Sequence, residues 1–112
     1  MLNSFRYAIS GIKEAFKSEL NLRFHFLAML IVLFFAFLLE FTALEYVTLI
    51  LTISFVISLE LINTIVEKLV DMHSKEISEE ARIIKDISAG VVLLGAIASV
   101  FIACLLFIPK LL

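Results

Sequence analysis

The stretch "SLELINTIVEKLVD", Ser58 to Asp71, decides how this chain is read. It continues an apolar run that begins at Tyr46, yet it carries Glu60, Asn63, Glu67 and Asp71. On a helix turning about 100° per residue, those four fall within an arc of roughly 80°, a single polar stripe. If a membrane-spanning helix enters near Tyr46, a rise of ~1.5 Å per residue puts Glu60 about 21 Å inward and Glu67 about 32 Å. Against a hydrocarbon core ~30 Å thick, Glu60 is expected inside the far boundary, Glu67 at it and Asp71 beyond it. An unpaired carboxylate at lipid depth costs at least ~2.5–3.5 kcal/mol, so Glu60 is expected to face protein or a wet cavity. A functional site is the first reading of such a stripe. A structural reading stands beside it, in which protonated Glu60 and Asn63 join helices through hydrogen bonds.

The rest of the chain fits a lipid environment. Its 112 residues suffice for one domain, taken as residues 1–112. The 62% hydrophobic content and mean hydropathy of +1.13 exceed the roughly 45–50% apolar usage of soluble domains. An integral membrane protein is expected. A net charge of -2 without a basic cluster argues against nucleic acid. The single cysteine, Cys104, leaves no disulfide within the chain. Polar and charged residues interrupt the opening stretch before any long apolar run, so no signal peptide is expected there.

Leu2, Phe5, Ile9, Ile12, Phe16 and Leu20 recur at spacings of three or four, with Arg6, Ser10, Lys13, Glu14 and Lys17 between them. That pattern predicts an amphipathic helix in the membrane interface over residues 1–22. Phe26 to Leu39 is uncharged for 14 residues, Tyr46 to Leu59 for 14, and Ile87 to Ile108 for 22. Spans over 24–44, 46–70 and 86–108 follow, the two shorter runs needing their flanks to reach the ~20 residues of a crossing. The fold class is therefore an all-α membrane protein, since open sheets cannot be satisfied in lipid. Pro109 is expected to help close the last helix.

Basic residues set the orientation. Arg6, Lys13, Lys17 and Arg23 precede the first span; Lys68, Lys75, Arg82 and Lys85 follow the second; Lys110 stands alone in the tail. The N-terminus and the second connection are then expected on the cytoplasmic side. Glu19 and Arg23, and Lys85 with Asp86, come near the same membrane face as the stripe. Carboxylates at a hydrocarbon–water boundary suit a hard divalent cation such as Mg²⁺, often bound with substrate phosphates. Residue chemistry thus points to a polyphosphate meeting a lipid headgroup. No G-x-x-x-x-G-K-[ST] loop is present. A small proton-coupled transporter with Glu60 as carrier remains an alternative from another class.

The runs S-E-L-N-L-R (Ser18 to Arg23), E-L-I-N-T-I-V-E-K-L-V-D (Glu60 to Asp71) and K-D-I-S-A-G (Lys85 to Gly90) resemble the small prokaryotic diacylglycerol kinase and undecaprenol kinase family. The likeness extends from about Phe5 into the third span. It implies a homotrimer of three-span subunits in the bacterial cytoplasmic membrane, transferring the γ-phosphate of ATP, with Mg²⁺, to a lipid hydroxyl. By position, Glu60 matches the general base, and Glu67 and Glu19 match carboxylates that hold the metal accompanying ATP. Asn63, Asp71, Lys85 and Asp86 match residues lining the nucleotide site, and Tyr7 and Glu76 match peripheral nucleotide contacts. Ser88 stands where some diacylglycerol kinases have glycine, Arg82 replaces a small residue, and Ile77–Ser78 replaces a Tyr-His pair. The run N-L-R-F-H (Asn21 to His25) resembles the undecaprenol kinase branch more closely. Undecaprenol is therefore the expected acceptor, with diacylglycerol as the alternative. His25 is read as an interfacial anchor with no role in the reaction.

Overall fold

The computed structural model describes residues 1–73 and 78–112; Glu76 and Ile77 lie outside the described residues. Four helices follow one another: α1 (Leu2–Ser18), α2 (Leu20–Leu38), α3 (Ala43–His73) and α4 (Glu79–Leu111). There is no strand among the described residues. Helices α2, α3 and α4 are each long and apolar enough to cross a membrane.

The apolar side chains of α1, among them Phe5, Ile9, Ile12 and Phe16, are exposed, as an interfacial helix requires. Ala15 is its buried residue, and Phe16 meets Phe26 of α2 edge-on at 5.6 Å. The helix ends at Ser18, short of the expected residue 22. Glu19 is extended (φ -115, ψ 110), while its N–H still donates to Ala15 O at 2.9 Å. Glu19 is therefore a corner between the surface helix and the first span.

Helix α2 stops at Leu38, before the expected boundary at 44. Glu40 adopts a left-handed conformation (φ 56), and Phe41 N–H donates back to Ala36 O at 3.1 Å. That is a Schellman-type ending with glutamate where glycine is usual. It folds Phe41 onto Ala36 and Leu49, forming the buried cluster at this end. Phe107 of α4 closes the cluster, 4.8 Å from the Phe41 ring. The chain re-enters at once through a capping box. Thr42 N–H donates to Glu45 Oε1 at 2.8 Å, and Glu45 N–H donates to Thr42 Oγ1 at 3.2 Å. Lys110 pairs with Glu45 at 3.0 Å and lies over the Phe41 ring, tying the end of α4 to the start of α3.

With 31 residues, α3 is about 46 Å long, more than the ~30 Å hydrocarbon core. It is therefore longer than a crossing needs, and part of it stands beyond the lipid. Helix α4 begins at Glu79, ahead of the expected 86, because Ser78 caps it by accepting from Ala81 N–H at 3.0 Å. Acidic Glu79 and Glu80 suit its positive N-terminal end. Pro109 does not end it: the helix runs to Leu111, and Leu112 N–H reaches Ile108 O at 3.1 Å. Pro109 sits in the last turn, where it leaves the Leu105 carbonyl without its helical N–H donor. Helices α3 and α4 pack most extensively, closely enough that a Cβ at Gly95 would lie 2.5 Å from Leu59 Cδ1.

Candidate functional site

The inner face of α3 carries Leu49, Val56, Glu60 and Thr64, the buried residues of that helix. Glu60 is 4% exposed, with its backbone carbonyl accepting from Thr64 Oγ1 at 3.1 Å. One turn along, Asn63 and Glu67 are half-buried; by Asp71 the side chain is 66% exposed. The polar stripe thus passes from a dry interior to an open end along one helix.

Two short hydrogen-bond chains give it order. Ser88 Oγ on α4 donates to Asn63 Oδ1 at 2.8 Å, and Asn63 Nδ2 donates to Glu67 Oε1 at 3.2 Å. The asparagine is thereby held at both ends of its amide, which fixes the Glu67 carboxylate. Further out, Lys85 Nζ on α4 donates to Asp71 Oδ1 at 2.6 Å. Both partners are exposed, so this pair adds at most ~1 kcal/mol of stability. Its effect is to close the outer end of the stripe with a cation. On α4, Arg82 pairs with Glu79 and, through Nη1 at 2.9 Å, with Asp86. Asp86 is therefore engaged along its own helix.

The expected site residues thus separate into groups. Glu60, Asn63, Glu67 and Asp71 share one face of α3, and Lys85 meets them from α4. Glu19 is half-buried at the α1–α2 corner, and Tyr7 is exposed on α1. Among the described residues, no side-chain hydrogen bond joins either of them to the stripe. Glu76 lies outside the described residues.

Three residues gain contacts that the sequence reading did not give them. His25 Nε2 on α2 lies 3.6 Å from Glu60 Oε2, Ser88 supports Asn63, and Arg82 clamps Asp86. For His25 a signal existed: Leu22, His25, Met29, Val32 and Ala36 recur at spacings of three and four. All five are buried or half-buried, the inner face of α2.

Among the described residues, no three of His, Cys, Asp and Glu converge on one point. A cation on this chain alone would take at most two such side chains, the rest of its shell coming from other oxygens. That donor set fits Mg²⁺, which keeps several waters and takes one or two carboxylates together with substrate phosphates.

Three helices long and apolar enough to cross a membrane, with carboxylates, an amide and a lysine running from a buried position to the open end of one face, define a polytopic membrane protein with a polar site between its helices. The chain belongs to the prokaryotic diacylglycerol kinase family, whose profile matches residues 6–107. It is 42% identical to a diacylglycerol kinase of Synechocystis over the whole of this chain and 65% of that protein. It is 39% identical to an undecaprenol kinase of Bacillus subtilis over 96% of this chain and 88% of that one. A diacylglycerol kinase of Haemophilus influenzae is 34% identical over 92% of this chain and 80% of its own length. The family is one of lipid kinases, and with it comes the use of ATP.

Proposed function

We propose that this chain transfers the γ-phosphate of ATP, with Mg²⁺, to the hydroxyl of a membrane polyprenol such as undecaprenol. The observation that carries this reading is the gradient on α3: Glu60 at 4% exposure, Glu67 half-buried and Asp71 open. In this reading Glu60 lies just inside the hydrocarbon boundary, where a lipid hydroxyl can reach it and its carboxylate can take the proton as the oxygen attacks. Glu67 lies about 10 Å further along the helix by its rise. There it meets the polyphosphate from water, with Glu19 as its companion in holding the cation. When bound, Mg²⁺ supplies charge neutralisation at the transferring phosphoryl group. Asn63 keeps Glu67 in place, and Lys85, Asp71, Asp86 and, more peripherally, Tyr7 and Glu76 line the nucleotide site. Phosphoryl transfer is mostly positioning and charge neutralisation, so these residues need form no covalent intermediate.

The working unit in this reading is a homotrimer in the bacterial cytoplasmic membrane, with the N-terminus and the α3–α4 connection cytoplasmic, where most Lys and Arg residues lie. Asn21 to His25, which resembles the undecaprenol kinase branch, supports a polyprenol acceptor. Diacylglycerol is the second acceptor, supported by the names of two relatives. Purified protein given Mg-ATP with labelled γ-phosphate, and either lipid, tests both. Labelled polyprenyl phosphate formed faster than phosphatidic acid is the expected result; label in neither lipid overturns the assignment.

A further inference from the structure

Two polar residues stand where their helices otherwise turn apolar or small side chains inward. On α2 the inner face runs Leu22, His25, Met29, Val32, Ala36; on α3 it includes Leu49, Val56, Glu60 and Thr64. His25 and Glu60 meet, Nε2 to Oε2, at 3.6 Å, with side-chain exposures of 29% and 5%. A carboxylate so enclosed at lipid depth is stable as an anion only beside a compensating group. Among the described residues, no other Lys, Arg or His side chain lies within 4.0 Å of it. The facing stretch of α4, Ile87 to Ile108, holds no Asp, Glu, Lys, Arg or His.

His25 also lines a cleft between α2, α3 and α4, together with Met29, Val32, Thr52, Val56 and Ser99. The imidazole therefore has the mostly apolar walls of this cleft on one side and the Glu60 carboxylate on the other. At 3.6 Å the contact is an ion-pair distance, longer than a hydrogen bond. Contacts of this kind shorten when a site tightens around its substrate.

We infer that His25 is the positioning residue for Glu60: the imidazole holds Oε2 and so turns Oε1 toward the incoming lipid hydroxyl. This rests on the reading of Glu60 as the base. Because His25 belongs to α2 and Glu60 to α3, the seating of the first span against the second decides whether the base is aimed. His25 acts through Glu60 and touches neither ATP nor its cation, so its loss is read in turnover and not in nucleotide affinity.

The test compares the full-length protein with His25→Leu, His25→Gln and Glu60→Gln in lipid-containing micelles, with Mg-ATP and saturating acceptor. Misplacing a reacting group by about 1 Å can cost on the order of 100-fold in rate, so His25→Leu is expected to lower kcat by roughly 10- to 100-fold. The KM for ATP stays within about twofold, since uniform binding of the nucleotide is untouched. His25→Gln, whose amide N–H still reaches a carboxylate, recovers most of the lost turnover. Full kcat in His25→Leu with an inactive Glu60→Gln overturns the role of His25 and leaves the base in place. Full kcat in Glu60→Gln overturns the base itself. If His25→Leu does not fold, His25→Gln decides: near-normal kcat and KM support positioning by an N–H donor. A loss in His25→Gln that comes with a raised KM for ATP and a lowered melting temperature overturns it in favour of a merely structural residue.

Discussion

Ser88 on α4 donates a 2.8 Å hydrogen bond to Asn63 Oδ1 on α3, and the other end of the same amide holds Glu67. The contact couples the third span to the carboxylate proposed to carry Mg²⁺. Residues that orient a metal ligand typically change metal affinity by 10- to 100-fold when removed. Asn63→Ala is expected to raise the half-saturating Mg²⁺ concentration on that order. Ser88→Ala, which leaves the amide present but untethered, raises it by less. Glu67→Gln abolishes turnover while the protein stays folded. Titrating activity against Mg²⁺ checks all three; identical curves for Asn63→Ala and the parent would remove Asn63 as the support of Glu67, and full turnover in Glu67→Gln would remove Glu67 from the metal site.

Gly95 permits the close approach of α4 to α3, with Leu59 Cδ1 only 2.5 Å from where a Cβ would be. Leu59 can swing its methyl aside, so Gly95→Ala is expected to be tolerated with a modest loss of stability. Gly95→Leu overpacks the contact and is expected to cost about 1–3 kcal/mol. Unfolding in detergent, followed by circular dichroism, measures the difference. Equal stability of both variants would show that the helices are not held at this separation.

The opposite end of the bundle offers a change that should separate stability from catalysis. Thr42 and Glu45 form the capping box of α3, far along that helix from Glu60. Thr42→Ala removes the side-chain cap and is expected to cost about 1 kcal/mol. The melting temperature falls while kcat measured well below it is unchanged. A parallel fall in kcat would mean that the cap reaches the reaction site after all.

Topology is open to chemical mapping. In a Cys104→Ser background, Glu40→Cys sits in the α2–α3 turn and Ser78→Cys at the start of α4. The basic-residue bias predicts that a membrane-impermeant maleimide labels Glu40→Cys in intact cells, and Ser78→Cys only after the membrane is opened. The reverse pattern would invert the orientation and place the stripe on the outer side.

The polar stripe was legible because a helix converts spacings of three and four into one face, and lipid makes each ionisable residue there conspicuous. The order of burial along that face, Glu60 enclosed and Asp71 open, follows the helical rise away from the apolar run. What lay beyond reach was pairing across helices. Nothing local to His25 announces Glu60, 35 positions away on another element. Ser88 could be recognised as unusual but not as a support for Asn63.

Helix ends were misplaced for a different reason. Hydropathy marks where lipid lies, whereas a helix stops where its backbone turns. The end of α2 depends on Glu40 taking a left-handed conformation, with no glycine or proline to announce it. The start of α4 depends on the Ser78 cap, ahead of the apolar run. Arg82, read as a departure from relatives, proves to bind Glu79 and Asp86 on its own helix.

Helix α3 runs without interruption from Ala43 to His73, and this makes it a ruler as well as a scaffold. Inserting or deleting one residue between Glu60 and Glu67 would rotate one carboxylate by about 100° relative to the other. No neighbouring loop lies between them to absorb the error. With Glu60 as the proposed proton acceptor and Glu67 as the proposed cation ligand, adaptation to bulkier or slimmer acceptors falls to the flanking helices, while the interval between the two carboxylates stays fixed by α3.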